Sequence, residues 1–418
     1  MGLFAPPSSI KRQGKRQVPS SWADPSLAPT IGDSVPITQH SATICAGTLE
    51  LTLHEQGERL EELLAFGSRL NPRRGYLFIS RVLGKHIPVR PSAMDSIHAE
   101  LASAIQLLGS TAYVVGMAET AVGLGAGVSR HLAATHDDSV FHHTTRFTVA
   151  TPWIRIREAH SHADTMHLAK LGVEAQAAVS EVQDLVLVDD EITTGRTLAQ
   201  LARALMIQPE LARVKRLHIV SLVSWLSPTA RQALLDQLPE MLEVRFVQLM
   251  AGEFTFHPRP DFAPSLPDDV DTGFCQAIAH RQHRPLPIEN EGLYGKVMSS
   301  RQQPPLALLE ALDITPDVPV VVFGMGEYLD APFRLALQLE QRGQEVLFQS
   351  STRSPIAVAD AVTSRIEHTA PDAGGKRHYL YNAPARHLPL AFDGIGRIDL
   401  SRELEANHLQ SFSRQACP

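Results

Sequence analysis

The run Leu185-Val186-Leu187-Val188-Asp189-Asp190-Glu191-Ile192-Thr193-Thr194-Gly195-Arg196-Thr197 constrains the fold more than any other part of this 418-residue chain. Four consecutive apolar residues mark a strand covered on both faces, as in a parallel sheet between helices. Two carboxylates, Asp189 and Asp190, follow at its carboxyl edge, where ligands of α/β sheets sit. A pentad of Thr, Gly and Arg then opens a helix with Leu198, Leu201, Ala202 and Leu205 at 3.6-residue spacing. The turn at 193–197 offers backbone N–H groups, three hydroxyls and the positive end of a helix dipole, the parts of a monophosphate cradle. Adjacent acids accept hydrogen bonds from vicinal hydroxyls, directly or through Mg²⁺. Phosphate, diol and acids together imply a ribose 5-phosphate. Ordinary strand-to-helix turns also favour Asp, Thr and Gly. That accounts for one acid, one Thr and the Gly, and leaves the ordered set unexplained.

The surrounding pattern alternates between the two periods of regular structure. Strands are expected at 48–53, 75–80, 112–117, 141–149, 185–188 and 217–225, and helices at 55–66, 94–108, 120–133 and from about 195. This βαβ alternation predicts a parallel sheet flanked by helices. Residues 1–40, rich in Pro, Ser, Lys and Arg, read as a flexible tail. Prolines crowd 257–305, which therefore reads as a linker between a first domain at 41–256 and a smaller α/β domain at 306–418. In the latter, strands are expected at 318–323 and 345–350 and a helix at 329–342, closed by Gly343.

The run at 185–197 resembles the signature of the type I phosphoribosyltransferases, which use phosphoribosyl diphosphate (PRPP). The resemblance implies that fold, a parallel sheet with a hood, and implies that Asp189 and Asp190 hold the ribose hydroxyls as the catalytic carboxylates. It implies further that Thr193, Thr194, Gly195, Arg196 and Thr197 bind the 5-phosphate, and that Mg²⁺ joins through PRPP. Purine-using members carry an Asp where Thr193 stands, so the chain resembles the orotate and pyrimidine type. The family's pyrophosphate loop corresponds to Gly116–Ala121, with Ala118, Glu119 and Thr120 at its centre. Glu119 is odd there unless Mg²⁺ or a basic residue intervenes. Arg146, in Phe-His-His-Thr-Thr-Arg-Phe at 141–147, lies where relatives reach the diphosphate. The basic loop after residue 80, with Arg81, Lys85, His86 and Arg90, reads as a hood over the acceptor. His160, His162, Asp164 and His167 have a spacing open to a metal. A loop over 148–175 that closes on PRPP is the more economical reading.

In the second domain, Thr352, Arg353, Ser354 and Pro355 follow a strand. Behind such a first domain they resemble a two-domain family named for that signature and associated with bacterial tellurite-resistance and stress systems. Phe323-Gly-Met-Gly-Glu-Tyr-Leu329 lacks the third glycine of a dinucleotide fingerprint. Its Gly-Met-Gly-Glu instead echoes Gly-Met-Ala-Glu at 116–119, which suggests a related anion-binding turn with Arg353 as a second clamp.

A net charge of −7 and the lack of a basic face disfavour nucleic acid as a partner. No stretch reaches 18 apolar residues, so no membrane span is expected. The 31 Arg against 7 Lys reflect composition bias except where single arginines meet anions. Three scattered cysteines, with no CxxC pair and no disulfide framework, and no secretory signal suggest a cytoplasmic chain. The expected function is Mg²⁺-dependent transfer of phosphoribose from PRPP to a small-molecule acceptor, with a nitrogen nucleophile. Dimerisation of relatives implies a homodimer. The alternatives are a non-catalytic regulatory protein that binds PRPP or a nucleotide, and the reverse reaction on a ribosyl-phosphate compound.

Overall fold

The computed structural model describes residues 37–71, 74–148, 152–156, 166–264, 275–276, 292–299, 314, 317–370, 376–393, 397–398 and 400. The expected tail, most of the 257–305 linker, and His160, His162 and Asp164 lie outside the described residues.

The architecture is α/β with a mainly parallel central sheet. In chain order its strands are β1 (Thr38–Ile44), β2 (Gly47–Glu55), β5 (Thr111–Gly116), β6 (Asp138–His143), β10 (Asp184–Ile192), β11 (Arg216–Ser224), β12 (Glu243–Pro258) and β14 (Lys296–Ser299). A hairpin, β3 (Leu64–Ser68) and β4 (Tyr76–Ser80), lies between β2 and β5, and β7 (Phe147–Thr148), β8 (Trp153–Ile156) and β9 (Met166–Ala169) precede β10. The spatial order is β1-β2-β12-β11-β10-β5-β6-β14. From β12 to β6 every pairing is parallel, and the flanking strands run antiparallel. Leu185 to Val188 are wholly buried at its centre, as an apolar run in a parallel sheet requires. The covering helices are α1 (Leu60–Leu63), α2 (Pro91–Ser103), α3 (Ala121–Thr135), α4 (Val173–Val179), α5 (Arg196–Met206) and α6 (Pro228–Leu235).

The C-terminal domain has its own sheet, ordered β16-β15-β19-β20, from β15 (Val320–Gly324), β16 (Val346–Ser350), β19 (Leu388–Phe392) and β20 (Arg397–Ile398). Helix α7 (Asp330–Gln341) links β15 to β16, and a hairpin of β17 (Arg365–Ala370) and β18 (Lys376–Tyr381) precedes β19. The remaining strand, β13 (Cys275–Gln276), pairs with β7.

Four sequence expectations change. The helix at 55–66 shrinks to Leu60–Leu63, because Leu64–Ser68 pairs with β4 instead; a few helical turns lack the cooperativity to resist that hairpin. The strand at 141–149 breaks after His143. Within the stretch read as linker, Lys296–Ser299 covers the edge of β6, removing an open row of backbone groups. Cys45 is disulfide-bonded, since cysteine pairing depends on spatial approach that scattered positions do not disclose. No helix among the described residues is long and apolar enough to cross a membrane.

The two sheet regions share a tight seam within one compact unit. Val89 exchanges backbone hydrogen bonds with Phe348, and Glu340 of α7 accepts from Ser92 N at 2.6 Å, capping α2 from the other domain. Asp360 accepts from Cys45 N at 3.0 Å and from Ser68 Oγ at 2.7 Å.

Candidate active site

Strand β10 lies between β11 and β5 in the parallel core, and its two pairings end differently. Pairing with β5 stops at Val188↔Gly116, whereas pairing with β11 continues to Ile192↔Ser224. The carboxylates therefore lie within the last residues of β10, one side freed where β5 turns away, which opens the crevice that α/β sheets use for ligands. Asp189 and Asp190 are both part-exposed, and Asp190 N donates to Asp189 Oδ1 at 3.0 Å. Burial first, and the neighbouring Asp190 charge second, push the Asp189 carboxyl well above its usual range. Glu191, the third acid of the row, is pushed up to about 6 by burial despite its 2.9 Å ion pair with Arg74.

The chain then turns through Thr193 and Thr194 into α5. Gly195 occupies the cap position with φ +65°, a left-handed conformation that glycine adopts without strain, and no side chain caps the helix. Arg196 N donates to Thr194 Oγ1 at 3.5 Å, and the helix opens directly beside the acids. Thr194 and Arg196 are exposed, and Thr193 and Thr197 are part-exposed. Buried Leu198, Leu201, Ala202 and Leu205 anchor the helix as their spacing predicts.

The loop after β5 lies on the opposite side of the strand end. Met117 N donates to Val188 O at 2.9 Å, Thr144 N to Gly116 O at 3.0 Å, and Ala118 N to Thr144 Oγ1 at 2.9 Å. The Ala118–Glu119 peptide is cis. Basic residues do intervene at Glu119. Arg353 Nε donates to its Oε1 at 2.8 Å, Thr352 Oγ1 to its Oε2 at 3.3 Å, and Lys85 Nζ stands 3.6 Å from Oε2. Burial opposes ionisation of Glu119, but Lys85, Arg353 and Arg146 outweigh it and hold the carboxyl well below its usual range. Lys85, only 2% exposed, has its ammonium pK lowered by burial, against the attraction of Glu119, Asp190 and Glu327.

The remaining sequence candidates divide between the crevice and the seam. The loop from Arg81 to Arg90 packs against the C-terminal domain. Arg81 donates to Leu64 O at 2.9 Å, His86 is buried and held neutral, and Arg90 pairs with Glu340. Only Lys85 turns towards the strand end. Arg146 N donates to Glu327 Oε1 at 3.0 Å, and Ser354 N donates to Thr352 Oγ1 at 3.1 Å, shaping the signature turn around Glu119. His167 bridges to Thr145 through backbone bonds. Sequence reasoning missed Arg69 and Arg74. Both come from the β3–β4 hairpin; Arg69 is half-buried within electrostatic reach of Asp190 and Glu191, and Arg74 also lies 4.8 Å over the Tyr76 ring. The available signal was the group of arginines just before the strand expected at 75–80.

Residues 63–253 match the family model described as phosphoribosyl transferase, and residues 300–400 match the model described as the TRSP domain C-terminal to it. No curated protein matches the chain. Among solved structures, the chain is similar to the adenine phosphoribosyl transferase of Trypanosoma brucei, at 14% identity and TM-score 0.34, covering 46% of this chain and 78% of that one. It is similar to the adenine phosphoribosyltransferase of Rhodothermus marinus at 18% identity and TM-score 0.31, covering 46% and 96%. The enzyme from Giardia lamblia gives 18% identity and TM-score 0.30, covering 45% and 94%.

Proposed function

We propose that the chain transfers a 5-phosphoribosyl group from PRPP to a small-molecule acceptor and releases pyrophosphate. One observation carries the reading. Within the matched segment 63–253, paired carboxylates end a buried parallel strand and are followed directly by an uncapped, glycine-initiated helix.

In this reading the 193–197 turn holds the 5-phosphate through helix N–H groups, supplying binding energy remote from the reacting carbon. Asp189 and Asp190 accept from the ribose hydroxyls. Their charge becomes more valuable as C1 turns oxocarbenium-like, so they stabilise the transition state above the ground state. Displaced pyrophosphate leaves on the side of the 116–121 loop, Lys85 and Arg146. No side-chain nucleophile is required.

No cluster of three or more metal-ligating side chains occurs among the described residues. Two adjacent hard carboxylates, the Asp189 one raised by burial and then by the Asp190 charge, nevertheless suit Mg²⁺, which is held by one or two carboxylates plus substrate oxygens. Asp189 and Asp190 would hold it with PRPP, and when bound it would offset diphosphate charge. Arg69 and Arg74, at the hairpin beside the acids, are placed to meet the acceptor.

The test incubates the full chain with PRPP, Mg²⁺ and a metabolite extract. Pyrophosphate release together with a new mass of acceptor plus ribose phosphate supports the transferase. Saturable PRPP binding with no release under any acceptor supply overturns it in favour of a sensor.

A further inference from the structure

The C-terminal domain repeats the part of the first domain that carries the candidate site. In the first, β5 leads through a turn and α3 to β6, then past the short β7 to the β8–β9 hairpin, and through α4 to β10. In the second, β15 leads through a turn and α7 to β16, then the β17–β18 hairpin, then β19. The parallel orders β6-β5-β10 and β16-β15-β19 correspond. So do the bonds that shape each strand end. Met117 N reaches Val188 O at 2.9 Å, and Met325 N reaches Phe392 O at 2.9 Å. Thr144 N reaches Gly116 O at 3.0 Å, and Ser351 N reaches Gly324 O at 3.1 Å. Ala118 N donates to Thr144 Oγ1, and Gly326 N to Ser351 Oγ, both at 2.9 Å. Thr145 bridges to His167 of one hairpin, and Thr352 to Tyr379 of the other.

The sequence follows the same alignment. Gly116-Met-Ala-Glu119 matches Gly324-Met-Gly-Glu327, Phe141-His-His-Thr-Thr-Arg146 matches Phe348-Gln-Ser-Ser-Thr-Arg353, and Asp189 matches Asp393. Two four-letter turns agree by chance easily. Two turns, two Thr-Arg segments and two sets of backbone bonds in one order do not.

The copies exchange corresponding contacts across the seam. Thr352 and Arg353 of the second copy hold Glu119 of the first, and Thr145 and the Arg146 N–H of the first hold Glu327 of the second. The consequence falls on Lys85. Glu119 spends Oε1 on Arg353 Nε, and Oε2 on Thr352 Oγ1 and Arg353 N. The buried Lys85 amine is thus kept 3.6 Å from the carboxylate and makes no hydrogen bond among the described residues.

Building on the phosphoribosyl-transfer reading above, we propose that the C-terminal domain is a second copy serving as a built-in partner, with Arg353 a positioning residue. By restraining Glu119, it keeps Lys85 available to an oxygen of the diphosphate. Without Arg353, Glu119 takes Lys85 as its close counter-ion, and an incoming diphosphate must break that pair.

The test is calorimetric titration of the full chain with PRPP and, separately, with ribose 5-phosphate, both with Mg²⁺. Arg353→Ala is expected to weaken PRPP binding by about tenfold or more and to leave ribose 5-phosphate unchanged. Arg353→Lys, which keeps a cation beside Glu119, stays within about threefold of the wild type. The double variant Glu119→Gln/Arg353→Ala, which frees Lys85 again, recovers most of the loss. Wild-type PRPP affinity in Arg353→Ala overturns the positioning role and leaves the transferase reading standing. A double variant as weak as Arg353→Ala also overturns it, because Arg353 would then touch the diphosphate itself. Equal weakening of both ligands overturns it as general damage to the fold. A wild-type chain that binds neither ligand removes the transferase reading, and this one with it.

Discussion

Asp189 and Asp190 stand side by side on one strand end, and burial, then the Asp190 charge, raises the cost of ionising Asp189. In the proposed transfer, Asp190→Asn keeps the shape and removes charge that an oxocarbenium-like carbon would need. Its pyrophosphate release is expected to fall about 10²–10³-fold while the circular dichroism spectrum stays unchanged. Glu327 carries a different signal. Burial raises its carboxyl from 4.5 to about 7, against hydrogen bonds from Thr145 and Arg146 N. The folded state therefore keeps a proton that the unfolded chain releases, and the stability from this group declines as pH rises from 4.5 towards 7. Glu327→Gln cannot ionise, so its melting temperature relative to the wild type should climb between pH 5 and pH 8, by an equivalent on the order of 3 kcal/mol. A gap independent of pH would contradict the assignment. The sequence marked Glu119 as an acid needing a basic neighbour, but the neighbours come from residues 85 and 353, far away along the chain.

Helix α3 illustrates why an element can be legible while its reason is not. A Gly/Ala-rich helix was expected near 120–133 and forms at Ala121–Thr135. Its glycines belong to the packing. A Cβ on Gly127 would lie 2.0 Å from Nδ1 of His98, a wholly buried side chain of α2. Helix propensity favours Ala over Gly by about 1 kcal/mol in an open helix. Here the close approach reverses that sign, and Gly127→Ala should destabilise by about 1–3 kcal/mol in urea unfolding, with His98 displaced. A stabilised variant would show that α2 can retreat. The same distinction applies to Arg81–Arg90. Its basic character is visible in the sequence, whereas the pairing of Val89 with Phe348, which packs part of it into the seam, is not.

Across the whole molecule, buried histidines set the response to acid. His86, His98, His142 and His378 are driven down to about 3, and His143 to about 4, in each case chiefly by burial. The unfolded chain protonates these rings below its ordinary 6.5 and the folded one does not, so their contribution is present above that value and is lost as pH falls. Each removes up to about 1.4 kcal/mol per pH unit, and five outweigh the opposing slope of Glu327. Unfolding followed by circular dichroism should occur between about pH 6 and 4, with net proton uptake. A fold intact at pH 4 would refute this. The strand at 185–188, the acids after it, the glycine-opened helix and the α/β class were all readable from the sequence, because apolar runs, turn residues and helical spacing are local properties. Even the repeat is written there, in Phe-His-His-Thr-Thr-Arg and Phe-Gln-Ser-Ser-Thr-Arg. What the tertiary structure alone decided is which distant charges meet. Lys85, Glu119 and Arg353 become one group because two copies of a unit pack reciprocally, and that depends on shape at the seam rather than on any local pattern.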